Sequence, residues 1–112
     1  MRQPTDQPAA HQPLDDLIDE GLAAAGMLPT RERCEELNER LRAELHRLMP
    51  LVQRRTDRLD RGSTDWYARQ TLLDQTRTLL EDDLGPGLRS AAFHVHDLAR
   101  ACRALADWAS GR

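Results

Sequence analysis

The chain has 112 residues, which is enough for one small domain with a modest core. Its 16 basic residues are all arginines and are outnumbered by 19 acidic residues, which leaves a net charge of -3. Because this balance gives no overall positive field, the composition argues against nucleic acid or an anionic membrane as a partner.

Targeting and redox signals are also absent from the sequence. No run approaches the roughly 20 apolar residues that span a bilayer, and residues 1–13 lack the apolar centre of a signal peptide. Two cysteines, Cys34 and Cys102, do not make the dense disulfide framework of a small secreted domain. We therefore expect a cytoplasmic protein with reduced thiols and no membrane partner.

The N-terminal part of the chain divides into a tail and a short helix. Residues 1–12 are rich in proline and glutamine, so we expect a disordered tail ahead of a single helical domain over residues 13–112. Pro13 suits the first turn of a helix, and Gly26 suits a helix end. Apolar residues at helical spacing predict a helix over residues 14–25: Leu14, Leu17, Ile18, Leu22 and Ala25.

A long helix is predicted over residues 31–60, with Thr30 as its N-cap. Its apolar stripe repeats at three- and four-residue steps: Cys34, Leu37, Leu41, Leu45, Leu48, Val52, Thr56 and Leu59. Pro50 projects roughly 170° from the centre of this stripe, toward water. We therefore expect the helix to continue through Pro50 with a bend, because the lost hydrogen bond is solvated; a break into two helices is the alternative.

Two further helices follow. Gly62 suits the end of the long helix, and Ser63 or Thr64 suits the N-cap of a helix over residues 65–84. Its broad apolar arc predicts contact with two neighbouring helices: Trp66, Ala68, Leu72, Leu73, Leu79, Leu80 and Leu84. The sequence "GPG" ends it, and a last helix over residues 87–109 carries an alanine-rich apolar face. The predicted fold class is all-α: an up-down-up antiparallel three-helix bundle (31–60, 65–84, 87–109) with an extra short N-terminal helix (14–25).

The predicted helix lengths leave an apolar overhang. The 31–60 helix is longer than the 65–84 helix, so Cys34, Leu37 and Leu41 extend beyond the latter. We expect the 14–25 helix to cover these side chains, and a second copy of the chain is the alternative.

Two segments resemble a known family. They are "LNERLRAELHRLMPLVQ" and "GPGLRSAAFHVHDLARACRALADW", which are similar to a family of small helical actinobacterial proteins of unknown function, described as natural product biosynthesis proteins. The similarity runs from about residue 35 to 108 and is best at "LR" then "LMP", and at "LAR" then "RAL" then "D" with an aromatic. The central helix matches poorly, since "DQTR" at 74–77 stands where the family usually has a glycine, acid, alanine, arginine run. The resemblance implies a helical fold and a setting near secondary metabolism. It provides no catalytic or binding residues to carry over to this chain.

Candidate chemical groups have simpler structural interpretations. His94 and His96 diverge by about 160° on a helix, so they cannot share a metal ion without further ligands. Both cysteines lie on apolar stripes, where a thiol behaves as a small hydrophobic group. The arginines of segment 54–61 alternate with aspartates at helical pairing distances, which is typical of a solvated face. We predict no catalytic, metal-binding or cofactor-binding residue and no cofactor.

One face of the last helix carries the main functional signal. Phe93 points almost opposite the apolar stripe of that helix, and an exposed aromatic among arginines is typical of an interface anchor. Cover by the 14–25 helix or a bundle turn is the alternative. The predicted interface residues are Phe93, Arg89, His96, Arg100, Trp108, Leu37 and Leu41.

These residues predict a non-catalytic helical interaction or accessory protein, acting as a homodimer or docked on a larger protein. Two alternatives belong to other classes: a small-ligand protein or enzyme with a pocket between helices, and a transcriptional regulator that binds DNA.

Overall fold

The computed structural model describes residues 12–111 and contains four helices in that range. They are α1 (Leu14–Ala23), α2 (Arg31–Asp57), α3 (Thr64–Glu81) and α4 (Leu88–Ala109). No strand occurs in the part of the chain that the structure describes, so the all-α class is confirmed. The first three helices end two or three residues earlier than predicted, and no helix of the described range is long and apolar enough to cross a membrane.

The predicted tail lies almost entirely outside the described residues. Only Gln12 of that segment is described, and its side-chain amide donates to the Glu20 carboxylate at 3.0 Å. Its amide oxygen accepts from Arg33 and Arg40 at 3.2 and 3.1 Å. Gln12 therefore belongs to a polar network that ties the start of α1 to α2.

The predicted N-caps are confirmed, with Ser63 rather than Thr64 at the start of α3. The Thr30 hydroxyl accepts from the Arg33 amide at 3.0 Å, and the Ser63 hydroxyl accepts from the Trp66 amide at 3.2 Å. Each bond satisfies one of the amides that a helix start leaves without a partner. These caps fix where α2 and α3 begin.

The C-terminal end of α3 depends on an arginine from a neighbouring helix. The last turn of α3 contains no basic residue, and its chain leaves the helix at Asp82 in an extended conformation. Arg42 of α2 donates to the carbonyl oxygens of Leu80 and Asp82, the latter at 2.8 Å. A charged donor from α2 thus satisfies carbonyls that a helix end exposes.

Helix α2 passes through Pro50 without interruption. It runs from Arg31 to Asp57, and Pro50 is exposed. Because the ring faces solvent, the carbonyl that loses its hydrogen bond at this turn can be hydrated. The structure therefore selects a continuous helix rather than two.

Helices α2 and α4 form the centre of the molecule and share its most extensive contacts. Arg31, at the start of α2, donates to the Gly85 carbonyl at 2.6 Å just before α4 begins. Farther along, the Cys102 thiol of α4 lies 3.6 Å from the Leu41 carbonyl of α2. The α2 stripe is buried along its length, and so is the α4 stripe: Ala91, Ala92, Val95, Leu98, Ala99, Cys102 and Leu105.

Helix α1 packs chiefly on α4 and lies over the predicted overhang. Leu17, Ile18 and Gly21 are its buried residues. A side-chain carbon placed on Gly21 would lie 2.7 Å from Ala99 Cβ and 3.2 Å from Leu41 Cδ1. The absence of a side chain at this position therefore lets the backbone of α1 approach α4.

Helix α3 is less buried than its apolar arc predicted. Only Leu73 and Thr76 are buried, Ala68 is exposed, and the contact between α3 and α4 is small compared with that between α3 and α2. The described chain measures 48 × 40 × 20 Å and has a radius of gyration of 15.3 Å, against about 13 Å for a compact domain of 100 residues. The small contact between α3 and α4 leaves a gap between these two helices.

Candidate interaction surface between α3 and α4

A groove runs between α3 and α4, with a volume of about 320 Å³. We call it the α3–α4 groove; its lining residues are Leu72, Gln75, Thr76 and Leu79 of α3 and Asp97, Arg100, Ala101 and Ala104 of α4. They recur at three- and four-residue steps on each helix, so each helix contributes one face. The groove exists because α3 leans on α2 and makes little contact with α4.

The groove combines apolar walls with a charged rim. Leu72, Leu79, Ala101 and Ala104 supply the apolar surface. The Thr76 hydroxyl donates to the Leu72 carbonyl at 2.7 Å, so its polar atom is satisfied within α3. On the α4 side, the polar side chains that line the groove belong to two exposed residues at its rim, Asp97 and Arg100.

Asp97 and Arg100 form that rim on α4. Both are exposed, and within residues 12–111 neither belongs to an ion pair or a side-chain hydrogen bond. Their opposite charges lie three residues apart on the same helical face. They are therefore available for charged groups brought by a partner.

Two aromatic residues lie on the same face of α4 as the groove. Trp108 is half-buried, and the Arg69 guanidinium lies over its ring, 5.0 Å from the centroid, so an arginine of α3 meets this end of α4. Phe93 lies one turn before Asp97 and is 46% exposed. The exposed aromatic, the charged rim and the small groove alanines form a single line along α4.

The structure brings together only part of the predicted interface. Arg89 and Arg100 are exposed beside Phe93, as predicted for a contact surface. By contrast, His96 is half-buried, and its Nδ1 lies 3.0 Å from the Leu22 carbonyl of α1. That contact directs the His96 ring toward α1 and away from the groove.

Leu37 and Leu41 belong to the core. Both are fully buried within the single chain, and α1 lies over Leu41 through Gly21. Their assignment to a surface for another protein is corrected by this burial, because no second chain is needed to cover them. The sequence left this choice open, since the pattern alone does not show where a short helix packs.

The groove residues other than Arg100 were not identified from the sequence. Ala104 and Asp97 do fall in line with Phe93 at helical spacing, and that spacing was the available signal. Leu72 and Leu79 were assigned to the core because apolar residues of a bundle helix are normally buried. Only the position of α3 shows that they line an open groove.

A second group of exposed apolar residues lies at one end of the molecule. Met27 and Leu28 connect α1 to α2, and Leu88 starts α4; Met27 is 81% exposed. The bond between Arg31 and the Gly85 carbonyl brings these two connections to the same end.

The groups with shifted pKa values do not line the groove. Burial raises the pKa of the Cys102 thiol to about 12 and also raises the pKa of the Cys34 thiol. Burial lowers the pKa of His94, whose Nε2 is buried and has no hydrogen-bond partner among residues 12–111. Among the described residues, no group of three histidines, cysteines or carboxylates could hold a metal ion.

Similarity to known protein families shows which family the chain belongs to. Residues 12–110 match a family of unknown function, DUF6415. The chain belongs to the DUF6415 family. The match spans all four helices, so the groove lies within the part that defines DUF6415. No curated protein and no solved structure matches the chain.

Proposed function

We propose that this DUF6415 chain is a non-catalytic helical accessory protein that binds another protein chain through the α3–α4 groove and Phe93. The observation that carries the proposal is the exposed Phe93 in line with an apolar groove whose rim charges have no partner in the described structure. Protein interfaces combine this set of features: an aromatic anchor, an apolar centre and a polar rim.

The character of the groove favours binding over catalysis. Its hydroxyl group is committed to a backbone carbonyl, and its one carboxylate and one guanidinium lie at the open rim. General acid–base catalysis needs groups that meet at a substrate with shifted pKa values, and nucleophilic catalysis needs a nucleophile beside a base. The perturbed thiols and His94 do not line this groove.

The topology of the bundle, the cellular location and the biosynthetic setting of the chain are also parts of this proposal. The up-down-up bundle of α2, α3 and α4 with α1 as an extra helix is supported by the bonds from Arg42 to the end of α3 and from Arg31 to the segment before α4. Work in the cytoplasm is supported by the reduced, buried cysteines. A role in natural product biosynthesis in actinobacteria rests on the resemblance of the two quoted segments.

A small apolar ligand is a second candidate occupant. The groove volume of about 320 Å³ lies at the lower end of the range typical of ligand pockets, about 300 to 1,000 Å³. Leu72, Leu79 and the two alanines would contact such a ligand, and Trp108 would report on it by fluorescence. Protein binding is preferred because Phe93 projects outward beside the groove.

Site-specific photocrosslinking tests the proposal. Gln75, an exposed α3 residue that lines the groove, would be replaced by p-benzoylphenylalanine in the full chain, and the same replacement at the exposed Glu39 of α2 would serve as the control. We expect one defined protein adduct at position 75 and none at position 39. Phe93→Ser should remove the adduct, whereas Tyr67→Ser, at another exposed aromatic, should keep it. Equal crosslinking at both positions, or an adduct insensitive to Phe93→Ser, would contradict the proposal.

A further inference from the structure

The outward face of α4, where Ala104 and Trp108 are half-buried and the other residues are exposed, is complementary to itself in one antiparallel register. This face contains Arg89, Phe93, Asp97, Arg100, Ala104 and Trp108, which follow each other at three- and four-residue steps. In a two-fold symmetric pair of helices, residue i of one copy faces residue j of the other, and the sum of i and j is constant along the contact. The register can therefore be read from the chemistry of the pairs.

The register that pairs Asp97 with Arg100 also pairs the remaining residues. Each copy would place its Asp97 opposite Arg100 of the second copy, and the two-fold axis repeats the pair. The same register puts Phe93 opposite Ala104, where the apolar groove offers space for a ring. It also puts Arg89 opposite Trp108, whose ring contacts the Arg69 guanidinium of its own chain.

The ends of α4 support the same register independently. Helix α4 runs from Leu88 to Ala109, and this pairing places Leu88 of one copy opposite Ala109 of the other. The axis thus passes through the midpoint of the helix, and the two copies overlap over its full length. A shift of one turn in either direction would separate Asp97 from Arg100 and shorten the overlap.

We infer that the chain forms a two-fold symmetric homodimer, in which the exposed faces of α4 pack antiparallel and each Phe93 enters the α3–α4 groove of the other copy. This inference rests on the proposed function, because it names a second copy as the protein that binds the groove. The features that select this occupant are two rim charges that belong to no ion pair among residues 12–111, and the small Ala104 opposite a large aromatic.

Charge reversal in separate chains provides the test. Asp97→Arg would place arginine against Arg100 in its own homodimer, and Arg100→Asp would place aspartate against Asp97, so each variant should dimerise more weakly by a factor on the order of ten or more. In an equal mixture of the two variants, arginines of one chain face aspartates of the other. We therefore expect the mixture to form a heterodimer with close to wild-type affinity.

Sedimentation equilibrium of the full-length proteins measures these outcomes. Wild type should approach twice the 12.8 kDa chain mass as concentration rises, and the control Glu39→Arg, a charge change on exposed α2, should behave the same. Helical content measured by circular dichroism checks that each variant is folded. A monomeric wild type, or single variants that dimerise as tightly as wild type, would overturn the inference, as would a mixture that stays monomeric.

The photocrosslink at position 75 separates this failure from that of the proposed function. An adduct of two copies of this chain supports both statements. An adduct with a different protein, lost in Phe93→Ser, overturns the homodimer and keeps the interaction function. Absence of any Phe93-dependent adduct overturns both.

Discussion

Gly21→Ala is the substitution whose effect follows most directly from the geometry. The added carbon would lie 2.7 Å from Ala99 Cβ and 3.2 Å from Leu41 Cδ1. Carbon atoms pack best at about 3.5 to 4.0 Å, so α1 would have to move away from α4 by about 1 Å. Leu17 and Ile18, buried on the same helix, would lose part of their packing.

Two effects of opposite sign determine the magnitude. Replacing glycine by alanine inside a helix favours folding by up to about 1 kcal/mol, because alanine restricts the unfolded chain. Overpacking in a core typically costs about 1 to 3 kcal/mol, and the upper part of this range applies here because Ala99 Cβ is fixed to its backbone and cannot rotate away. We therefore expect Gly21→Ala to lower the free energy of unfolding by about 1 to 2 kcal/mol.

Urea unfolding followed by circular dichroism would measure the change in the free energy of unfolding. Gly26→Ala is the matched control, because a side-chain carbon there would meet no atom closer than 3.9 Å. We expect the control to change the free energy by less than about 0.5 kcal/mol. A Gly21→Ala protein as stable as wild type would refute the close approach of α1 to α4.

Three further substitutions test other parts of the fold. Arg42→Leu removes the charged donor from the last carbonyls of α3, and water can replace part of it because these bonds are exposed or half-buried, so the free energy of unfolding in urea should fall by about 1 to 1.5 kcal/mol. Arg47→Leu, at a surface ion pair, should lower it by less than about 0.5 kcal/mol. Ser63→Ala removes the N-cap of α3 and should lower the unfolding free energy by about 1 kcal/mol; no change would mean that the cap bond is not formed in solution. Burial lowers the pKa of His94, so the folded chain binds its proton less readily than the unfolded chain. The contribution of His94 to the free energy of unfolding should therefore be fully present above about pH 6.5. It should decrease as the pH falls from there toward the pKa of His94 in the folded chain. His94→Gln should reduce this loss in acid unfolding curves, whereas a change at the exposed His46 should leave it intact.

The local features of the fold could be predicted because they depend on neighbouring residues. Thr30 and Ser63 identify helix starts by their own hydrogen-bonding chemistry. Pro50 was placed on the solvent side by the period of the surrounding stripe, and the continuous α2 agrees with that placement. Such inferences need no knowledge of which helices touch.

The candidate site depends on contacts that the sequence does not encode locally. Whether Leu79 is covered depends on how far α3 leans toward α4, and the apolar pattern is the same in either case. Likewise, cover of Leu41 by α1 depends on the missing side chain of Gly21, which as a single letter resembles any other helix glycine. The sequence is enough to predict Phe93 and Arg100 as interface residues. The groove beside them can be recognised only once the positions of α3 and α4 are known.

The burial of both sulfur atoms makes the two cysteines natural reporters of transient opening. Cys34 and Cys102 have no exposed surface, so a thiol-specific reagent can reach them only after the surrounding helices separate. Under conditions where reaction is faster than reclosure, the labelling rate at each sulfur therefore equals the opening rate of its own surroundings. Different rates at the two positions would show that the start of α2 and the middle of α4 open independently.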